Sequence, residues 1–357
     1  MSDNYNGTVV TCRVRFARNL SGYLFPATLK DRAKATEIIN RTFRLTDKFA
    51  PFKYYEMSKI SKDFAQHLKE RYIISEALKK NTFSGAVAVN TANGLSVMVN
   101  EEDHIRSQCI LKGENLITAY NKLVPLDRWL NNNLRFCQSA EYGYITACPT
   151  NLGTGLRASA MLFLPTLTKN NMIDDLYRKA KPRGLTVRGV FGEGSQGESC
   201  LYQLSNEVTL GKSEREIIGE VQSYLEEVVN IEKINSITYY NKNKLEVEDE
   251  CLRALALLQN CKLLSYEEFA VLTSKVKWGA TLNIIRINDA DAFNDLITTC
   301  RPATLKLAIT NQQTVDNRFI GGLNRGVTLS GNVKEDERYM RYIRAEYVKN
   351  TLKKIIV

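Results

Sequence analysis

At 357 residues with 44% hydrophobic content, the chain is long enough to pack two domains, which excludes a disordered polypeptide. Forty-nine Lys and Arg against 39 Asp and Glu give a formal charge of +10, which favours an anionic partner: nucleic acid, nucleotide phosphate or an acidic surface. No apolar run approaches the roughly 20 residues that cross a bilayer, and MSDNYNGTVV lacks the basic start and apolar core of a secretory leader, so the expected location is cytoplasmic, with no membrane partner.

Residues 8–16 alternate, with Val10, Cys12, Val14 and Phe16 on one side and Arg13 and Arg15 on the other, the period of a half-buried strand. A helix is predicted over 29–43. Runs 83–89 and 95–99 around Asn93-Gly94 predict a hairpin whose second strand leads into Asn100-Glu101-Glu102-Asp103-His104. Strands are predicted over 144–148 and 184–191, the latter ending in Gly192-Glu193-Gly194-Ser195-Gln196-Gly197, and another over 200–204. Ser213 and Glu216 have capping-box spacing ahead of the apolar stripe Ile217, Val221, Tyr224, Leu225, Val228, which predicts a helix. The polar, lysine-rich stretch 241–246 marks a boundary. Helical patterns follow over 248–263 and 266–276, with a basic amphipathic helix over 335–356. There is no internal repeat and no low-complexity tract.

The cysteines Cys12, Cys109, Cys137, Cys148, Cys200, Cys251, Cys261 and Cys300 form no CxxC pair, which argues against a disulfide framework or structural zinc and for reduced thiols. Residues 192–197 match GxGxxG, but a strand-like run follows them, so a pyrophosphate would lack the helix N-terminus on which the dinucleotide motif depends. GxxxxGK[ST] is absent. Phosphate binding would then fall to Arg13, Arg15, Arg106, Arg157 and Arg188, all in or near predicted strands. Guanidinium groups grip phosphate oxygens in a bidentate fork and neutralise a transferring phosphoryl group; the plainer alternative is solvated surface arginine.

Glu101, Glu102 and Asp103 close a strand and could hold a cationic substrate, with Glu193 in the glycine loop closing over it; the alternative is a solvated acidic turn. Cys148 opens the turn-rich run Pro149-Thr150-Asn151-Leu152-Gly153-Thr154-Gly155-Leu156-Arg157, which could set a thiolate beside a cation, against the alternative of an inert buried thiol. Only His67 and His104 exist, too few for a histidine metal site. A Cys148–His104 nucleophile pair has no third group to orient it.

The segments CRVRFARN from Cys12, NEEDHIR from Asn100, CPTNLGTGLRAS from Cys148 and VRGVFGEGS from Val187, in this order, resemble the phosphagen (guanidino) kinases over about residues 8–235. The run Gly184-Leu185-Thr186-Val187-Arg188-Gly189 and the segment from Leu204 to Ser213 bring the chain nearest to the bacterial protein-arginine kinases. So does the architecture: only about a dozen residues precede Arg13, and the additional helical domain follows the catalytic one. The resemblance implies an α+β fold, a large mostly antiparallel sheet flanked by helices over 8–235, then a smaller α-helical domain over 246–357 that dimerises. It implies ATP and Mg2+, with no dedicated protein metal site. Arg13, Val14, Arg15, Tyr72, Arg106, Arg157, Ala158, Ser159, Ala160, Met161, Arg188, Gly189, Val190, Phe191 and Gly192 would surround the nucleotide. Glu102 and Glu193 would hold the acceptor guanidinium, with Cys148 against it.

Two positions depart from that pattern. Tyr72 stands where a histidine is expected beside the nucleotide. The phosphoarginine-sensing signature RDxxRA reads Met340-Arg341-Tyr342-Ile343-Arg344-Ala345, which keeps Arg344 but puts Arg341 in the acidic position, so sensing is expected to be altered. The leading expectation is phosphorylation of arginine in proteins, marking them for a Clp-type unfoldase or protease in a stress response, with an activator protein as a further partner. Competing readings are a kinase of free arginine or another small guanidino compound, a phosphoarginine-binding adaptor, and a nucleic-acid binder resting on charge alone; nucleic acid is not expected as a partner.

Overall fold

The computed structural model describes residues 7–189, 199–310 and 329–356. Its strands in chain order are β1 (Val9–Arg18), β2 (Lys53–Glu56), β3 (Ala86–Asn90), β4 (Leu95–Val99), β5 (Ile105–Lys112), β6 (Gln138–Ser139), β7 (Gly143–Tyr144), β8 (Leu156–Phe163), β9 (Leu185–Gly189) and β10 (Leu201–Asn206). Eight of them form one sheet in the order β2-β3-β4-β5-β1-β8-β10-β9, antiparallel throughout. The helices are α1 (Arg32–Phe49), α2 (Lys62–Glu70), α3 (Glu76–Lys80), α4 (Leu116–Leu134), α5 (Pro165–Lys169), α6 (Ile173–Ala180), α7 (Glu214–Lys242), α8 (Lys244–Asn260), α9 (Tyr266–Thr281), α10 (Ala290–Thr299), α11 (Pro302–Ile309) and α12 (Val333–Ile355). The α+β expectation holds. None of the described helices is long and apolar enough to cross a membrane.

The alternation in β1 decides how the sheet is used. Cys12, Val14 and Phe16 are buried in the main core with Ile38 of α1, Leu123 and Leu126 of α4 and Val221, Tyr224 and Leu225 of α7. Arg13 and Arg15 therefore face the other side. Val10, expected beside Cys12, instead packs against a separate cluster that includes Phe163, and Val9 takes the place in the main core, because the β1–β8 register shifts between Val9 and Thr11. The capping box that starts α7 is formed: Ser213 N donates to Glu216 Oε2 (2.7 Å) and Glu216 N to Ser213 Oγ (3.3 Å). The polar stretch 241–246 is a tight corner, with Asn243 alone between α7 and α8.

The strand expected over 144–148 ends at β7 instead. Beyond Tyr144 the backbone finds other partners: Ile145 N donates to Cys137 O (3.1 Å) and Ala147 N to Asp103 Oδ1 (2.6 Å). A side-chain acceptor has displaced a ladder bond there.

A second core joins α8, α9, α10 and α12, through residues such as Cys251, Phe269, Phe293 and Val348, and takes in Phe163 from the end of β8. This helical region also grips the eight-stranded sheet through α2. Leu307 of α11 packs among Phe64, Leu68, Val87 and Met98, and the Glu70 carboxylate caps α11 by accepting from Ala303 N (3.0 Å) and Thr304 N (3.1 Å). All eight cysteines are unbridged.

One buried ion pair anchors the C-terminal end of β1. Arg18, fully buried, reaches Asp127 of α4 (Nη2 to Oδ2, 2.9 Å), donates to Thr154 O (2.8 Å) and lies 3.6 Å from the centroid of the Tyr144 ring. Gly155 permits this approach: at φ +60° its Cβ would stand 2.6 Å from both Ala17 O and Arg18 Nη1. Removing one partner strands the other charge in the core, so Asp127→Ala should destabilise the protein by about 3–5 kcal/mol in chemical denaturation. Arg18→Met with Asp127→Leu should recover most of that loss.

Candidate active site

The strand register gathers the arginines on the open face of the sheet. Arg15 of β1 stands opposite Arg157 of β8, and Ala17 opposite Arg106 of β5. Opposed residues in antiparallel strands share a face, so Arg13, Arg15, Arg106 and Arg157 form one guanidinium patch. Arg188, on β9, flanks it and pairs with Glu207 (2.9 Å). Burial, then the neighbouring Arg106, depresses Arg13 to about 10. Arg15 is pushed well down by burial and by Arg13, Arg106 and Arg157, and Arg157 by burial, Arg188 and Arg106. These are the signs of crowded like charge without matching anions.

The donors are also incompletely used. Arg157 Nη2 donates to Ser205 Oγ (3.0 Å), but Nε of Arg15 and Nε of Arg157 are buried without a hydrogen-bond partner. A cluster of donors with unspent N–H groups fits a polyphosphate. Of the other expected nucleotide residues, Met161 lies on the same face, half-buried, while Ser159 faces it with Oγ bound to Arg13 O (3.3 Å). Val14, Ala158 and Ala160 turn the opposite way into the core. Gly189 ends β9. Val190, Phe191, Gly192 and Glu193 lie outside the described residues.

The acidic run after β4 divides into three roles. Burial alone would raise Glu101, but Arg106 (2.6 Å) and the Ser75 hydroxyl outweigh it and hold its carboxyl below the usual range. Asp103 is buried and accepts from Asn19 Nδ2 (2.6 Å) and Ala147 N (2.6 Å), which ties the acidic turn to the segment bearing Cys148. Glu102 alone is exposed, its carboxyl raised by partial burial and by Asp103 and Glu101. Cys148 is half-buried, with Sγ 3.0 Å from Thr150 Oγ1.

His104 is structural. Its Nδ1 accepts from Leu20 N (3.3 Å) and its Nε2 lies 2.9 Å from Leu24 O, so it is spent on the backbone rather than offered to Cys148, and burial pushes it down to about 4. Among the described residues no group of three or more His, Cys, Asp or Glu could hold a metal ion.

Tyr72 adopts φ 59°, its carbonyl held by Gln108 Nε2 (2.9 Å) and its ring 5.1 Å from Arg301 Cζ of the helical region. It therefore sits where the guanidinium patch meets that region. Arg344 and Arg341 are not brought together. Arg344 is buried, its Nε donating to Cys300 O (3.0 Å) and Nη1 to Leu264 O (2.9 Å), whereas Arg341 is exposed and pairs with Glu337 (2.5 Å).

Sequence reasoning missed the residues that support the site. Ser75 and Gln108 are anonymous polar residues until folding sets them beside Glu101 and Tyr72. Arg301, between two predicted helices, carried no signal. Only Glu101, adjacent to Glu102, was within reach of the motif.

Residues 34–235 match the family described as ATP:guanido phosphotransferase, C-terminal catalytic domain, and residues 244–321 the protein-arginine kinase McsB C-terminal domain. The chain is 37% identical to a protein-arginine kinase of Clostridium tetani over 313 residues, covering 87% of this chain and 91% of that one. A protein-arginine kinase of Caldanaerobacter subterraneus is 34% identical over 302 residues, covering 84% and 89%. Among solved structures, the duplicated taurocyamine kinase from Schistosoma mansoni with bound transition state analog components aligns with a TM-score of 0.59 at 26% identity, over 67% of this chain and 34% of that longer one. With its guanidinium-lined antiparallel sheet and its helical region after the catalytic one, the chain belongs to the ATP:guanido phosphotransferase family, on its protein-arginine kinase branch.

Proposed function

We propose that the protein transfers the γ-phosphoryl group of ATP to arginine side chains of other proteins. The observation that carries this reading is the guanidinium patch with unspent donors beside one exposed carboxylate of raised pKa. The triphosphate would lie across Arg13, Arg15, Arg106, Arg157 and Arg188, its γ end toward Glu102. Magnesium would arrive on the nucleotide, since the nearby carboxylates Glu101 and Glu207 are already held by arginine.

The acceptor guanidinium is a poor nucleophile while protonated. Glu102, with Glu193 as the second carboxylate the family resemblance assigns, would orient it and take its proton as the new N–P bond forms and the bond from the γ-phosphorus to the bridging oxygen breaks, releasing ADP. Cys148 would pack against the acceptor.

A protein-borne arginine is favoured because Glu102 is exposed and the helical region covers other ground, through α2 and α11. We assign residues 8–235 to catalysis and 246–357 to a helical domain that mediates dimerisation, in a cytoplasmic enzyme whose products feed a Clp-type protease under stress, with an activator protein. The changed Met340-Arg341 pair would leave phosphoarginine sensing altered.

Four outcomes are expected. With labelled ATP and magnesium, an unfolded arginine-rich protein should gain acid-labile label in preference to free arginine. Glu102→Gln should cut that transfer by roughly 10²–10⁴-fold while ADP affinity stays within about twofold. Label on free arginine alone would make this a small-molecule kinase, and no transfer to either would make it an adaptor. Because Glu102 must be ionised to accept a proton and its pKa is raised, kcat should fall on the acid side with a midpoint above the ordinary glutamate value of about 4.3; a midpoint at or below it would remove Glu102 from the base role. Arg15→Met, by relieving buried like-charge repulsion, should raise ligand-free stability by roughly 1 kcal/mol yet abolish most of the thermal stabilisation conferred by tripolyphosphate.

A further inference from the structure

At the end of β5 away from Glu102, a cavity of about 560 Å³ lies between the sheet and the helical region. Thr11, Ile110 and Met161 line it from the strands, and residues of α9 and α10 from the other side. The volume falls in the range of small-molecule sites.

Lys277 of α9 lines this cavity, is only 5% exposed and makes no hydrogen bond or ion pair among the described residues. Its Nζ lies 4.8 Å from the centroid of the Phe163 ring, another cavity residue. Ser199 also lines the space, and its Oγ is buried without a partner. Of the cavity's other charged groups, Asp291 and Asp295 lie 3.2 Å from Lys112, Arg301 lies over the Tyr72 ring, and Arg71 also lines the space. An isolated buried amine is unfavourable, and burial pushes that of Lys277 down to about 7. Such a group persists at little benefit to the fold unless a ligand acceptor meets it.

The direction of the phosphate site says which ligand that is. Thr11 lies two residues from Arg13 along the same face of β1, about 7 Å away. A triphosphate with its γ end at Glu102 therefore extends its nucleoside toward Thr11 and into the cavity. We propose that Lys277 is a specificity-determining contact to the nucleoside of ATP, so that the helical region, and not the sheet alone, completes the nucleotide pocket. This rests on the ATP reading above. The base ring nitrogens and ribose oxygens supply the acceptors that the cavity walls leave out, and a bare polyphosphate, ending at Arg13, does not reach them.

The test is calorimetric titration of the full chain with ADP and, separately, with tripolyphosphate. Lys277→Met should weaken ADP about tenfold, leave tripolyphosphate within twofold, and keep or raise the ligand-free Tm, because an apolar chain of similar length replaces an unpaired buried amine. Lys277→Gln, which keeps a donor, should recover part of the ADP affinity, a rescue that a purely structural role would not give. Unchanged ADP binding by Lys277→Met, or equal loss of both ligands, would overturn the proposal. So would wild-type protein that binds tripolyphosphate as tightly as ADP, which would leave the phosphate site standing without a nucleoside pocket. Arg157→Met should weaken both ligands; if it changes neither, the ATP reading fails as well.

Discussion

Everything in the site depends on crowded positive charge held rigidly on a sheet. Arg13, Arg15, Arg106 and Arg157 lie on adjacent strands; burial first, and then their neighbours' like charge, depresses Arg13, Arg15 and Arg157, and Glu101 pairs with Arg106 within the patch. Flexible side chains on loops would relieve such repulsion by moving apart. Here the strands cannot move, because Cys12, Val14 and Phe16 on the reverse of β1 are locked into the main core, and Arg18 at its end is bound to Asp127. Hydrophobic burial on one face thus maintains electrostatic strain on the other. In the proposed function a polyphosphate would relieve that strain on binding, and the donors would need no rearrangement to follow charge as it shifts during transfer.

The three consecutive acids show how the fold separates chemically identical side chains. Glu101 neutralises part of the cluster and fixes Arg106. Asp103 forgoes solvent to hold Asn19 and the Ala147 backbone, which sets the position of the neighbouring Cys148. Glu102, between them, keeps its exposure, and its carboxyl is raised by partial burial first and then by the charges on either side. The base role proposed for Glu102 thus goes to the residue whose neighbours are structurally occupied.

Much of this could be read along the chain because it follows from local periodicity. Alternation put Arg13 and Arg15 on one face, although it fails at Val10, where the β1–β8 register shifts, and the Ser213 capping box set the start of α7. What could not be read depends on register and distant contacts. That Arg157 meets Arg15 and Arg106 meets Ala17 is set by strand pairing across long loops. The strand expected over 144–148 stops early because the Asp103 carboxylate, some 40 residues away, takes a backbone N–H that local propensity assigns to a ladder. Lys277 reads as one more polar residue of a helix until α9 packs over the sheet.

The placement of the helical region bears on the kind of acceptor. It docks through Glu70 and α11 and forms one wall of the cavity bordered by Thr11 and Ile110, whereas Glu101–Asp103 precede Ile105 at the other end of β5. Were its helices over the acidic end instead, they would form a lid suited to enclosing a small guanidino compound. Set at the Thr11 end, they add contacts where a nucleoside would lie and leave Glu102 open. A site built in the proposed way would gain affinity for its nucleotide from enclosure, while its acceptor end would remain accessible to an arginine that carries a polypeptide behind it.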